Sequence, residues 1–376
     1  MNLRDFSIAS ERREYLEKAL SINLEQVHNE TVEQAEDVHC ENLIGATSIP
    51  LGVAGPIKIR GEYVNGQYIL PLATTEGALI ASVSRGCKTI TQSGGAVVYA
   101  YRVGTTRGPV FYTGGLQKSR ILYTWVREHE ALLKTAAEST SKHLKYKKLK
   151  IKSLADYVFI RFYFDTDEAM GMNMVTIATD KVTRIIEKET GIPCLSVAGN
   201  FDTDKKAAWL NFINNRGIKV WAEVQVSKKT IREVLHTSAD KIFDVWLGKN
   251  IFGSIMSGSL GFNAHFANII AAIFSATGQD IAHVVEGSMG VTTARLLKDG
   301  DLYFSIYLPS LMVGTIGGGT KLPAQQAALR ILGLKGENKT LQLAEIIGSG
   351  VLAAELSLLA ALAENKLAQA HKTLGR

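Results

Sequence analysis

Apolar and polar positions follow two different rhythms along the chain, and these rhythms predict its main elements. In DYVFIRFYFD (156–165), every second residue from Val158 to Phe164 is apolar, which is typical of a strand with one buried face. Residues 171–189 have helical spacing, and Gly191 is placed to end that helix. Further strands are predicted at 192–199 and 219–227. Together these segments predict a small unit of strand, helix, strand and strand.

The pattern outside this unit is mainly helical. Residues 1–40 lack glycine and have helical spacing, and a helical stripe covers 79–90, with Thr74 or Thr75 as N-cap and Glu76 in the first turn. From 227 onward we expect mostly helices, the last from about 349 to 371. The sequence therefore predicts an α+β fold. Its expected parts are a helical segment (1–40), a large, mainly helical domain (41–108 and 212–376) and an inserted small α/β domain (109–211).

Composition narrows the class of protein. The chain has 376 residues, 46% of them hydrophobic, and a net charge of +6 with a pI near 9.0, which favours anionic ligands without choosing among them. Its three cysteines show no CxxC spacing and its eight histidines no HExxH pattern, so we expect free thiols and no metal site. The N-terminus does not resemble a signal peptide, and the apolar runs are short or interrupted by Glu355, so we expect a cytoplasmic protein without a membrane span.

Several polar groups each allow two interpretations. Asp280 follows a glycine and is either a helix N-cap or a functional carboxylate, and His371 is either a helix-end cation or a proton donor. GTIGGGT (314–320) is either a packing turn or an anion nest, and the lysine run at 142–152 is either a solvated helix end or an anion site. The chain has neither a GxGxxG fingerprint after a strand nor a P-loop.

Taken together and in order, these segments resemble 3-hydroxy-3-methylglutaryl-coenzyme A reductase. The resemblance covers residues 41–371 and rests on ENLIGATSIPLGVAGP, PLATTEGALIASVSRGCK, TTRGPV, DEAMGMNM, GNFDTDKK, GKNIFGS, NAHFANI, GQD, GTIGGGT and the terminal AHK. It implies reduction of the thioester to mevalonate with two NADPH. It also implies a small ferredoxin-like domain that binds the nicotinamide cofactor, and a homodimer or dimer of dimers with sites across the subunit interface. The chain resembles the soluble archaeal type.

The resemblance also implies roles for individual residues. Lys205 would stabilise charge on the reacting oxygen, Glu76 would be the acid, Asp280 would lie between them, and His371 would protonate the coenzyme A thiolate. The implied substrate-binding residues are Glu41, Ser82, Arg85, Lys88, Arg107, Asn200, Lys206, Lys249 and Asn268. Ser141 and Lys142 would hold the 2′-phosphate of NADPH, and the other implied cofactor-binding residues are Glu168, Ala169, Met170, Gly171, Met172, Asn173, Gly317 and Gly318.

Two positions depart from the family pattern, and two other functions remain open. Glu168 replaces the usual aspartate of the cofactor motif, and Ala198 replaces a serine beside the substrate. Another coenzyme A thioester enzyme, a hydrolase or acyltransferase, would use the same acid and lysine without a nicotinamide. A nucleic-acid binder would use the lysine run, although Tyr146 is its only interleaved aromatic residue.

Overall fold

The computed structural model describes residues 3–35 and 40–364. Its α-helices are α1 (Ala9–Leu20), α2 (Glu30–Glu33), α3 (Leu79–Gln92), α4 (Leu116–Glu128), α5 (Glu130–Glu138), α6 (Met172–Thr190), α7 (Trp209–Asn214), α8 (Lys228–Thr230), α9 (Ala239–Val245), α10 (Ser254–Ser257), α11 (Phe266–Thr277), α12 (Val284–Gly287), α13 (Pro323–Ile331) and α14 (Lys339–Ala363). Short 3-10 turns lie at Leu3–Asp5, Glu25–Val27, Ile281–His283 and Gly318–Lys321, and π-helical segments at Ile231–Leu235 and Trp246–Gly253.

The strands form one connected, mostly antiparallel sheet. They are β1 (Leu51–Gly61), β2 (Asn65–Ala73), β3 (Ala96–Arg107), β4 (Val110–Tyr112), β5 (Lys145–Leu154), β6 (Tyr157–Asp165), β7 (Cys194–Ser196), β8 (Gly217–Val226), β9 (Val291–Leu296) and β10 (Leu302–Leu311). Their order is β7-β4-β6-β3-β8-β10-β9, with β1 between β2 and β3 and with β5 beside β6. β3 joins the two halves of the sheet, because Val97–Gly104 pair with β8 and Thr105–Arg107 pair with β6.

The buried apolar side chains form two separate clusters. The large core contains residues from Ala54 to Ala100 and from Ile218 to Ala360, and the small core contains residues from Phe111 to Ile192. Within the small core, β6 and α6 lie where the sequence predicts them, and Gly191 ends α6 in the left-handed conformation. The mixed α/β class is thus confirmed.

Helices prevail among the described residues from 227 onward, as predicted, but the strands of this region were not predicted. β9 and β10 lie in the region expected to be helical, and β8, expected in the small unit, pairs with β10 and β3 in the large sheet. The missed signal is period two: Leu302, Phe304, Ile306 and Leu308 are buried, whereas the residues between them are half-buried.

Three helix predictions also need correction. α3 begins at Leu79 after a left-handed Ala78, so Glu76 precedes the helix, and the Thr74 hydroxyl caps a turn by accepting the Glu76 N–H at 3.0 Å. Most of the lysine run, from Lys145 to Lys152, lies in strand β5 and not at a helix end. α14 begins ten residues before the predicted position, at Lys339. By contrast, the Asp280 side chain does cap the following turn, which is one of the two interpretations that the sequence allows for it.

α14 is the central helix of the large core and carries two buried carboxylates. It is long and apolar enough to cross a membrane, but 78% of its most apolar window is buried in the fold, as in the core helix of a soluble protein. Glu345 accepts the N–H groups of Glu62, Tyr63 and Val64 in the β1–β2 turn at 3.1, 2.9 and 3.0 Å. Burial raises the pKa of Glu345, against the lowering effect of these hydrogen bonds.

Glu345→Ala should destabilise the protein by about 3 kcal/mol, because three N–H groups lose their acceptor. Glu345→Gln keeps one acceptor oxygen and should cost less. The measurement is the free energy of unfolding in urea, with Glu128→Ala at the exposed end of α4 as control. Equal stability of Glu345→Ala and the control would contradict this anchoring role.

Candidate active site

A cavity with a volume of ≈780 Å³ gathers many of the predicted site residues. Its walls come from the start of α6, the turn after α11, and the loops that carry Lys205 and the glycine run. Of the predicted residues, it is lined by Arg107, Ala169, Met170, Gly171, Met172, Asn173, Lys205, Asp280, Gly317 and Gly318. The predicted lysine, its aspartate partner and most of the predicted cofactor segment therefore face one space.

Lys205 and Asp280 form an ion pair in this cavity. The Lys205 Nζ and Asp280 Oδ2 atoms are 2.8 Å apart, with 39% and 36% of the side chains exposed. Burial tends to raise the pKa of Asp280, but the hydrogen bonds from Lys205 and the Ala282 N–H and the charge of His283 hold it below its usual value. Asp280 is therefore charged at neutral pH in this state.

The loop that carries Lys205 is strained and well anchored. Asn200, Thr203 and Lys205 all have positive φ, and Lys205 is at +53°. Such conformations in non-glycine residues persist only where the surroundings enforce them. Here the Thr106 hydroxyl donates to the Asp202 carbonyl at 2.8 Å, and the Thr203 hydroxyl donates to Asn211 Oδ1 at 2.6 Å.

A buried charged cluster lies beneath this loop. Arg216 and Glu286 are fully buried and form an ion pair, and Arg216 Nη2 also binds Asp204 Oδ1 at 2.9 Å. Glu286 Oε1 in turn accepts the Lys205 backbone N–H at 3.3 Å and lies 2.7 Å from His283 Nδ1. These contacts fix the backbone at Lys205 from below.

Asp204, His283 and Glu286 have the donor types and spacing of a metal site, with ligand atoms within 4.8 Å of one another. Arg216 already binds both carboxylates, so its guanidinium is the cation of this cluster. Arg107 binds Asp204 as well, with Nη1 and Oδ2 3.3 Å apart. Asp204, Arg216, His283 and Glu286 were not predicted as site residues; the available signal was Arg216 directly before an apolar strand and Glu286 among small and apolar neighbours.

The predicted cofactor segment combines a helix N-terminus with close backbone contacts. Gly171 is the N-cap of α6 with φ +87°, so the first N–H groups of that helix are next to the cavity. A Cβ at Gly314 would lie 2.4 Å from the Met170 nitrogen, and one at Gly278 would lie 2.2 Å from the Gly319 carbonyl oxygen. Only glycine allows these loops to pack against each other.

The carboxylate of Glu168, a predicted cofactor-binding residue, contacts protein groups of two other segments. It accepts the backbone N–H groups of Lys339 and Thr340 at 3.0 and 2.7 Å, and the hydroxyls of Thr340 and Thr315 at 2.7 and 3.1 Å. Glu168 therefore caps the N-terminus of α14. The segment that follows it, from Ala169, reaches the cavity.

A second group of predicted residues lies elsewhere in the chain. Asn268 Nδ2 donates to Glu76 Oε2 at 2.5 Å, and neither residue lines the ≈780 Å³ cavity. Ser82 and Arg85 of α3 both contact Ser357 of α14, Arg85 through Nε at 3.0 Å. Within the described part of the chain, no hydrogen bond or ion pair joins Glu76 to Asp280 or Lys205.

The remaining predicted residues are mostly at the surface. Arg85 and Lys88 line a separate cavity of ≈570 Å³. Ser141 is half-buried, and the exposed ones are Glu41, Lys142, Asn200, Lys206 and Lys249. His371 lies outside the described residues.

Comparison with known proteins gives a consistent result. The family model described as hydroxymethylglutaryl-coenzyme A reductase matches residues 8–376. The chain is 47% identical over 368 residues to the 3-hydroxy-3-methylglutaryl-coenzyme A reductase of Methanothermobacter thermautotrophicus, covering 97% of this chain and 92% of that protein. It is 48% identical over 378 residues to the enzyme of the same name from Methanocaldococcus jannaschii, covering 98% and 93%.

A solved structure has a similar fold. It is the class II 3-hydroxy-3-methylglutaryl-CoA reductase from Streptococcus pneumoniae bound to NADPH in open conformations, with a TM-score of 0.72. The two chains share 20% sequence identity, and the match covers 96% of this chain and 98% of the other.

Arg216→Met should destabilise the protein by about 3–5 kcal/mol, because Glu286 would remain buried without its cation. Adding Glu286→Gln to Arg216→Met should recover part of this loss. The measurement is the free energy of unfolding of both single variants and the double variant.

The matched control is Arg184→Met, which removes an exposed Arg184–Asp180 pair of α6 and should change stability by less than about 0.5 kcal/mol. If Arg216→Met cost no more than this control, the buried pair would not hold the cluster together.

Proposed function

The chain belongs to the hydroxymethylglutaryl-coenzyme A reductase family, and we propose that it reduces 3-hydroxy-3-methylglutaryl-CoA to mevalonate and coenzyme A with two NADPH. The observation that carries the proposal is the Lys205–Asp280 pair in a cavity walled by the N-terminus of α6 and the glycine run. A fixed cation and an anion-binding helix end share this space.

The reaction needs a cation at the carbonyl oxygen. NADPH supplies a hydride in each of two steps, first to the thioester and then to the aldehyde that forms after coenzyme A leaves. Each addition places negative charge on the same oxygen, and the Lys205 ammonium stabilises that charge. Asp280 binds the ammonium at 2.8 Å and orients it.

The residues that line the cavity fit an anionic dinucleotide. The first N–H groups of α6 and the backbone of Gly317 and Gly318 offer donors for the diphosphate. Ser141 and Lys142 precede β5 and supply a hydroxyl and an exposed cation for the 2′-phosphate. Glu168 holds this segment against α14, so we assign it a supporting role and not a ribose contact.

The complete site requires a second copy of the chain. Glu76 and Asn268 bind each other away from the Lys205 cavity, so a homodimer or dimer of dimers would bring Glu76 of one subunit to Lys205 of another. In this arrangement Arg107, Lys206 and Lys249 bind the substrate carboxylate and hydroxyl, and Glu41, Ser82, Arg85, Lys88 and Asn200 complete the substrate site. His371 protonates the coenzyme A thiolate.

We also propose how the chain divides into domains and in which cellular compartment the enzyme is found. Residues 109–211 would form the cofactor-binding domain of ferredoxin-like type, inserted into a large domain of 41–108 and 212–376. The separation of the small core, Phe111 to Ile192, from the large core supports this division. We assign the enzyme to the cytoplasm.

Lys205→Ala should lower NADPH oxidation by about 100- to 1000-fold with both the thioester and mevaldehyde, because both steps load charge on the same oxygen. The measurement is loss of the reduced-nicotinamide absorbance, with coenzyme A release followed in parallel. Lys188→Ala, on the exposed face near the end of α6, is the control and should match the wild type. Coenzyme A release by the wild type without NADPH oxidation would indicate a hydrolase instead.

Mixing two inactive variants should restore activity if the site is shared between subunits. Glu76→Gln and Lys205→Ala, unfolded and refolded together in equal amounts, should recover roughly a quarter of wild-type activity, because half the dimers are mixed and each has one intact site. Asp280→Asn mixed with Lys205→Ala should recover none, since both residues belong to the same chain's cavity. Absence of recovery in the first mixture would place the whole site within one subunit.

A further inference from the structure

His283 is a buried ionisable residue next to the Lys205–Asp280 ion pair. It ends the 3-10 turn Ile281–His283, three residues after Asp280 and three before Glu286, and its side chain is fully buried. Its Nδ1 atom is 2.7 Å from Glu286 Oε1, and its Nε2 atom is 3.6 Å from Asp280 Oδ2. Among the described residues, Nε2 has no hydrogen-bond partner. A buried polar atom therefore faces the carboxylate that holds Lys205.

The contacts determine which ring nitrogen carries the fixed proton. A carboxylate can only accept a hydrogen bond, so Nδ1–H donates to Glu286, and Nε2 presents either a lone pair or a second N–H toward Asp280. The charged side chains that face or adjoin the ring are Asp204, Asp280, Glu286, Lys205, Arg216 and, through Asp204, Arg107. The imidazole ring lies between the carboxylates of Glu286 and Asp280, and Asp280 in turn binds Lys205.

We propose that His283 is a positioning residue of the reduction: held by Glu286, it fixes the orientation of Asp280 and, through Asp280, the position of the Lys205 ammonium. The inference rests on the proposed function and adds a residue to its machinery. Glu286 also accepts the Lys205 backbone N–H, so one carboxylate sets both the loop and the imidazole.

The geometry explains why the effect passes through Asp280. The separation of 3.6 Å exceeds hydrogen-bond distance, and a small rotation of the Asp280 side chain closes it. A protonated imidazole at this distance favours the charged carboxylate, and the charge of His283 contributes to lowering the pKa of Asp280. Without the ring, the pKa of Asp280 would be higher. On acidification, Asp280 would therefore be protonated at a higher pH than in the wild type, and its ion pair with Lys205 would be lost.

The test compares two substitutions that keep opposite ends of the ring. In His283→Asn the amide can still donate to Glu286 but nothing occupies the Nε2 position, whereas in His283→Gln the amide reaches toward Asp280. We expect His283→Asn to lower kcat by about ten- to a hundredfold with KM for both substrates within about twofold, as for a misplaced catalytic group. Its kcat should fall off at higher pH than that of the wild type on the acid side. His283→Gln should retain more of kcat than His283→Asn.

His129→Asn is the matched control, because this histidine stacks on Trp125 at the α4–α5 junction, away from the cavity. It should keep the wild-type kcat and pH profile. Wild-type kcat and pH profile in His283→Asn would overturn the proposal. So would equal loss of kcat in the two His283 variants with an unchanged pH profile, since that outcome indicates a purely structural role.

A second readout does not depend on activity. Carbon NMR of the aspartate carboxyls, assigned with Asp280→Asn, should show Asp280 titrating at higher pH in His283→Asn than in the wild type. An unchanged Asp280 titration would overturn the coupling even if the enzyme were active. If the wild type failed to oxidise NADPH with the thioester, the proposed function would fall, and this titration would still decide whether His283 acts on Asp280.

Discussion

The buried ion pair between Arg216 and Glu286 is the interaction on which the candidate site depends. Arg216 stands directly before β8 and binds Thr106 of β3 at 2.8 Å, while Glu286 lies on α12. Two charges removed from water are stable only when each is paired and hydrogen-bonded. The pair therefore constrains four segments at once: the ends of the central strands β3 and β8, the α12 turn and, through the Lys205 N–H, the strained lysine loop.

The sequence predicts some elements of the fold and some residues of the site but not others, for physical reasons. Local periodicity and glycine placement predicted β6, α6 and its end at Gly191, because those signals act within a few residues. β10 was missed although it alternates, and the role of Glu168 was missed because its partners at Lys339 and Thr340 are distant in sequence. The motifs identified the residues that face the cavity, but the contacts beneath them, such as His283 with Glu286, depend on tertiary structure.

The core helix α14 connects the site to the rest of the large core through carboxylates. Glu355 is fully buried and accepts the N–H groups of Ala264 and His265, which precede α11 and its Asn268. At the other end, Glu168 caps α14 and begins the cofactor segment. Both groups of predicted site residues are thus held by the same helix, although no hydrogen bond or ion pair joins the two groups among the described residues.

β3 pairs with β6 beside the small core and with β8 beside the large core, so separating the two cores would break strand pairing. Its residues Thr105–Arg107 pair with Phe162, Tyr163 and Phe164 of β6, on the edge of β6 that β4 continues at Tyr157–Phe159, while β5 covers the opposite edge. Cutting the chain on either side of residues 109–211 would expose the backbone N–H and C=O groups of Phe162, Tyr163 and Phe164 along a bare, aromatic strand edge. Such edges recruit strands from other copies. The excised fragment would tend to aggregate, and its solubility would require a substitute strand or a charged residue at that edge.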